Sequence, residues 1–281
     1  MRFGFAVMAA VFIPLSAMAQ ESAAGFSYKG KPIDPVCVQI ALESGGRKMA
    51  PERFGVVNCP APERMSESEN RFVPDAGGFT GFKLTHGGFN GMSYFQYRVA
   101  GVLKNGDYLI EIMRSGGGSG TFTSVHAVDY DGVSIEIKKN YAGGDRCNGG
   151  IGSASVENGA AVYRYWATPA ELTQIFLDTE KYKPYKDLES GASSCAGEIE
   201  GREGEITALI FDRARWAEKR SVPGWTGNYP YQKCFDDYIA AYLRVPDHDA
   251  SLAPDAAAAL IKGFDKTCGA PDADKEKGGR S

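Results

Sequence analysis

"YFQYRVAGVLKNGDYLIEIMR", residues 94–114, decides how this chain is read. Two runs rich in aromatic and β-branched side chains flank Lys104-Asn105-Gly106-Asp107, and Asn-Gly between such runs is the strongest short hairpin signal. The pattern recurs downstream. "TFTSVHAVD" and "VSIEIKK" meet at Tyr130-Asp131-Gly132, and "IGSASVE" and "AVYRYW" meet at Asn158-Gly159. Three hairpins in succession predict an antiparallel β-meander over residues 71–167, folded as a sandwich or an open barrel.

At Thr168 the period changes. Thr168-Pro169-Ala170-Glu171 places a threonine N-cap, a proline at the first helical position and a glutamate at the third, the start of a helix over "PAELTQIFL". "ITALIFDRA" predicts a returning strand paired with "GEIEG". "YQKCFDDYIAAYLRV" and "PDAAAALIKGFDKTC" predict two helices, the first stopping before Pro246 and the second opening on Pro254. Residues 168–268 are therefore expected to form a mainly helical C-terminal region. The polar residues 269–281 are expected to be disordered. On the N-terminal side, "VCVQIALES" suggests a short helix and "FGVVNC" a short strand within a stapled lobe over 20–70. The expected class is α+β.

The first residues, "MRFGFAVMAAVFIPLSAMAQ", carry Arg2, an apolar run and Ala17-Met18-Ala19. That order matches a secretory signal peptide over 1–19, cleaved after Ala19. The run is shorter than the roughly 20 apolar residues of a membrane span, so no membrane insertion is expected after cleavage. Export to the periplasm or the medium agrees with the six cysteines, all of which lie beyond the signal. Six cysteines allow 15 pairings. Neighbours in sequence, Cys37 with Cys59, Cys147 with Cys195 and Cys234 with Cys268, are favoured because each closes a moderate loop.

The chain has 281 residues and a formal net charge of −4. A mildly acidic chain with both signs interspersed offers no electrostatic case for nucleic acid.

Two glycine loops are the candidate functional segments. "YAGGDRCNGG", 141–150, sets Asp145, Arg146 and Asn148 among glycines that let a backbone approach a ligand closely. The competing reading is a wide turn in which Asp145 and Arg146 pair locally and Cys147 is half a bridge. "SGGGSGTFTS", 115–124, presents Ser119 at a hairpin end. It lacks the Gly-Lys-Ser/Thr of a phosphate loop and the G-x-S-x-G spacing of a nucleophile elbow. Trp225, in "PGWTGNYPY", is the third binding candidate, an aromatic ring in a loop.

The three histidines, His86, His126 and His248, are far apart in sequence and predict no metal site. Asp129-Tyr130-Asp131-Gly132 begins with a calcium-loop spacing but lacks the later ligands, and an Asp-Gly turn explains it. No cofactor is implied.

The function expected is a disulfide-stabilised binding module without a catalytic motif, either an envelope component or an inhibitor of an exported enzyme. Its partner would be another envelope protein or a glycan. The alternative is an envelope hydrolase using carboxylates, with Glu111, Asp129, Glu136 and Asp145 in or beside the sheet.

Overall fold

A computed structural model describes residues 25–45, 53–59, 73–85, 92–177, 187–219 and 230–268. The proposed signal peptide, His86, Trp225 and the expected disordered tail lie outside them.

The chain opens with a two-stranded ribbon, β1 (Ser27–Tyr28) and β2 (Lys31–Pro32), followed by helix α1 (Pro35–Gly45). A short strand β3 (Phe54–Gly55) then leads into a single 3-10 turn. Five strands follow, β4 (Thr80–Thr85), β5 (Met92–Val102), β6 (Tyr108–Gly116), β7 (Phe122–Tyr130) and β8 (Ser134–Asp145). With β3 they form a six-stranded antiparallel sheet in the order β3-β8-β7-β6-β5-β4, with β3 and β4 as its outermost strands among the described residues. The turn residues behave as their chemistry requires. Gly106 and Gly132 adopt positive φ, while Asp131 accepts the amide protons of Val133 and Ser134.

The third hairpin leaves this sheet. β9 (Ile151–Glu157) and β10 (Ala160–Ala167) reverse at Asn158-Gly159, both at positive φ as a tight hairpin turn demands. They belong to a second, five-stranded antiparallel sheet, β13-β12-β11-β10-β9. Its remaining strands are β11 (Gly197–Arg202), β12 (Glu205–Ile210) and β13 (Ser251–Leu252). The antiparallel meander read from sequence is thus divided between two sheets.

Helix α2 (Pro169–Phe176) carries the full capping box, with Thr168 accepting from the Glu171 amide and Glu171 accepting from Thr168. Three further helices follow, α3 (Arg213–Lys219), α4 (Pro230–Arg244) and α5 (Pro254–Cys268). The architecture is α+β, and Cys37–Cys59, Cys147–Cys195 and Cys234–Cys268 are bridged.

Strand alternation sorts the apolar residues into three cores. On β6, Ile110 and Ile112 pack with Phe26, Val38 and Phe95 on the face covered by α1 and the β1–β2 ribbon. Leu109 points the other way, joining Val125, Ala161 and Tyr163 between the sheets. Further along the same face of β10, Ala167 packs with Ile199, Leu209, Phe235 and Phe264 beneath the C-terminal helices. Tyr165 touches both of these last two cores and couples them.

Candidate functional site

One end of the six-stranded sheet gathers both glycine loops. The β6–β7 turn occupies residues 117–121, and the β8–β9 crossover occupies 146–150. Phe122 opens β7 directly opposite Asp145 at the end of β8. Asp145 reaches across this gap and accepts the Thr121 amide at 2.9 Å. Its carboxylate also receives Arg146 Nε at 3.1 Å and Nη2 at 3.3 Å. The Arg146 hydrogen bond, helped by the Thr121 amide and the Arg146 charge, holds the Asp145 carboxyl below its ordinary pKa against the opposing effect of burial.

The crossover is built by its backbone. Asp145 and Asn148 exchange amide bonds at 2.8 and 2.9 Å, Gly150 donates to Arg146, and Gly149 donates to the Trp166 carbonyl. Arg146 and Gly149 both adopt positive φ. A Cβ at Gly144 would overlap the Asn148 carbonyl oxygen, and one at Gly150 the Arg146 carbonyl oxygen. Close backbone packing thus accounts for these two glycines. Cys147 is buried and bridged to Cys195, with its amide on the Ala192 carbonyl, while Asn148 donates to Ser190.

Beside the crossover lies an open groove of about 330 Å³, lined by Gln39, Tyr94, Phe95, Arg114, Ser115, Gly116 and Phe122. Gln39 comes from α1, and the others come from the adjoining ends of β5, β6 and β7. Phe122 is 45% exposed, high for a ring of its size, whereas Phe95 forms the buried floor. Arg114 is exposed, and its guanidinium has no hydrogen-bond or ion-pair partner among the described residues. It is the single charged group among the described residues of the lining. Tyr94 donates to Thr121 at 3.4 Å, and the Gln39 amide donates to Glu43. Ser119 is exposed at the tip of the adjoining loop, where the amides of Gly118, Ser119 and Gly120 meet no protein acceptor among the described residues.

The carboxylates singled out from sequence are each engaged by an arginine. Glu111 pairs with Arg98 at 2.5 Å, and its pKa is raised because burial outweighs that partner. Asp129, Asp131 and Glu136 converge on the single guanidinium of Arg53, which stands where a calcium ion would have to sit. The Ser134 hydroxyl and the Val133 and Ser134 amides hold Asp131 at about 2. No cluster of three or more His, Cys, Asp or Glu among the described residues is arranged to hold a metal.

The described histidines are separate. His248 stacks on Tyr242. His126 is buried on β7, with Nε2 2.8 Å from the Ser124 hydroxyl and an Nδ1 that meets no partner among the described residues. Burial, helped by the charge of Arg114, lowers its pKa to about 4.

Sequence reasoning missed Arg114, Tyr94, Phe122 and Gln39, because each reads there as an ordinary strand or helix residue. It also passed over Glu198, a half-buried carboxyl whose pKa burial raises; Glu198 and the Trp166 indole nitrogen flank Gly152. No helix among the described residues is long and apolar enough to cross a membrane. No family model, curated protein or solved structure matches the chain.

Proposed function

We propose that the chain is an exported, disulfide-stabilised binding protein that takes its ligand in the groove at the glycine-loop end of the six-stranded sheet. The observation that carries this reading is the unpaired guanidinium of Arg114 on a groove walled by Tyr94, Phe95 and Phe122. A groove of about 330 Å³ sits at the small end of the range for ligand sites, and such sites combine apolar walls with a few fixed polar groups. Three disulfides and the apolar N-terminal run support export. Ser119, Asp145, Arg146 and Asn148 form the rim on this reading, with Asp145 and Arg146 fixing the loop against the start of β7. The partner is another envelope component, protein or glycan, that offers a short projecting group.

The test is a fragment screen on the isotopically labelled mature chain, with small acids, amines, neutral aromatics and monosaccharides read by amide chemical shifts. The expected response is a saturable set of shifts confined to residues 94–96 and 114–122. Shifts concentrated elsewhere, or none with any class, would overturn the assignment of the site.

A further inference from the structure

The charge and the walls of the groove specify what it holds. Arg114 supplies one positive charge, and no carboxylate belongs to the lining among the described residues. Two acids border it: Glu43 accepts the Gln39 amide, and Asp145 receives Thr121 and Arg146; neither forms an ion pair with Arg114. Buried His126 is neutral near pH 7 and adds no second cation. One uncompensated guanidinium matches one carboxylate, whose two oxygens fit its paired donors. A dianion would be left half compensated.

The remaining lining is chiefly aromatic, with the buried Phe95 below and the exposed Phe122 at the side. Its few polar groups are partly used, since Tyr94 donates to Thr121, Gln39 to Glu43, and the Ser115 hydroxyl accepts from Gly117. A polyhydroxylated body would leave several hydroxyls without partners here. An apolar or aromatic body loses nothing by entering. The three free amides of the 118–120 loop stand next to Phe122, and exposed amides of this kind serve to receive carboxylates at peptide ends.

Resting on the reading of the groove as the ligand site, we propose that it captures the C-terminal residue of a peptide or protein. Arg114 holds the terminal carboxylate, and Phe95 and Phe122 hold an apolar or aromatic side chain. Glycan acids are then poor ligands, because their bodies are polar.

The test uses the full mature chain and four probes, N-acetylphenylalanine, its neutral amide, glucuronate and inorganic phosphate, titrated by amide shifts and calorimetry. N-acetylphenylalanine should bind in the groove at least tenfold more tightly than each of the others, about 1.4 kcal/mol. Arg114→Gln should remove that preference, and Arg114→Lys should restore part of it. Phe122→Ala should weaken the acid and its amide alike. Arg114 is exposed and unpaired, so the variants should fold, and unchanged amide spectra away from the groove would show it. Equal binding of acid and amide at the groove, or an acid preference surviving Arg114→Gln, refutes carboxylate capture and leaves the site assignment standing. Preferred binding of glucuronate would transfer the site to glycan acids. If no probe shifts any groove amide, the site assignment fails together with this inference.

Discussion

Acidification should expose the cost of the imidazole buried on β7. His126 is 7% exposed, its Nε2 faces the Ser124 hydroxyl, and its Nδ1 has no partner. Protonation makes both ring nitrogens N–H donors, one of them the partnerless Nδ1, in a buried site close to Arg114, and its pKa accordingly falls from 6.5 to about 4. The sign follows from linkage. Between these values the unfolded chain binds a proton that the folded chain refuses, so stability present above pH 6.5 is lost progressively down to pH 4. At about 1.4 kcal/mol per pKa unit the full loss is about 3 kcal/mol, of which about 2 kcal/mol is spent by pH 5. The Glu111, Glu171 and Glu198 carboxyls, whose pKa burial raises, contribute with the opposite sign, so the effect must be isolated by difference. His126→Phe removes both ring nitrogens and keeps a planar ring. Urea midpoints of wild type and variant between pH 4 and pH 8 should diverge, with the wild type losing about 3 kcal/mol more. Parallel curves would refute the argument, as would an imidazole resonance, assigned by its absence from the variant, that titrates near 6.5.

The crossover and the staple beside it give two further tests. Gly144→Ala drives a methyl into the Asn148 carbonyl, and overpacking of this kind costs about 1–3 kcal/mol, to be read as a lower urea midpoint. Gly118→Ala, with open space around its Cβ, should leave the midpoint unchanged. Among the bridges, Cys147–Cys195 closes the longest loop, a separation of 48 residues against 34 and 22. The chain-entropy relation gives about 4 kcal/mol for its replacement by a pair of serines, compared with about 3.4 kcal/mol for Cys37–Cys59. Equal losses for the two bridges would show that loop length does not set the effect.

Much of the fold was legible in the sequence because its signals are local. Asn105-Gly106, Asp131-Gly132 and Asn158-Gly159 specify turns through positive φ and side-chain bonds to the next amides, and each turn joins the two strands read on either side. Thr168 to Glu171 fixes a helix start through bonds spanning three residues. Cysteine order favoured the bridges that form, because each joins neighbouring cysteines across a moderate loop.

Tertiary structure alone decided where the third hairpin goes and what stands beside the glycine loops. Alternation says that Leu109 and Ile110 face opposite ways, but it does not say that one meets α1 and the other meets β10. That choice is non-local. The backbone exchange at Asp145 and Asn148, the positive φ of Arg146 and the Cys147 bridge turn the chain out of the first sheet and into the second. The groove is equally non-local, since Gln39, Tyr94, Arg114 and Phe122 come from four separate elements. Glycines marked the loops in the sequence because turns need them. The unpaired charge beside those loops became visible only when folding brought Arg114 to a wall of aromatic rings and paired Asp145 with Arg146.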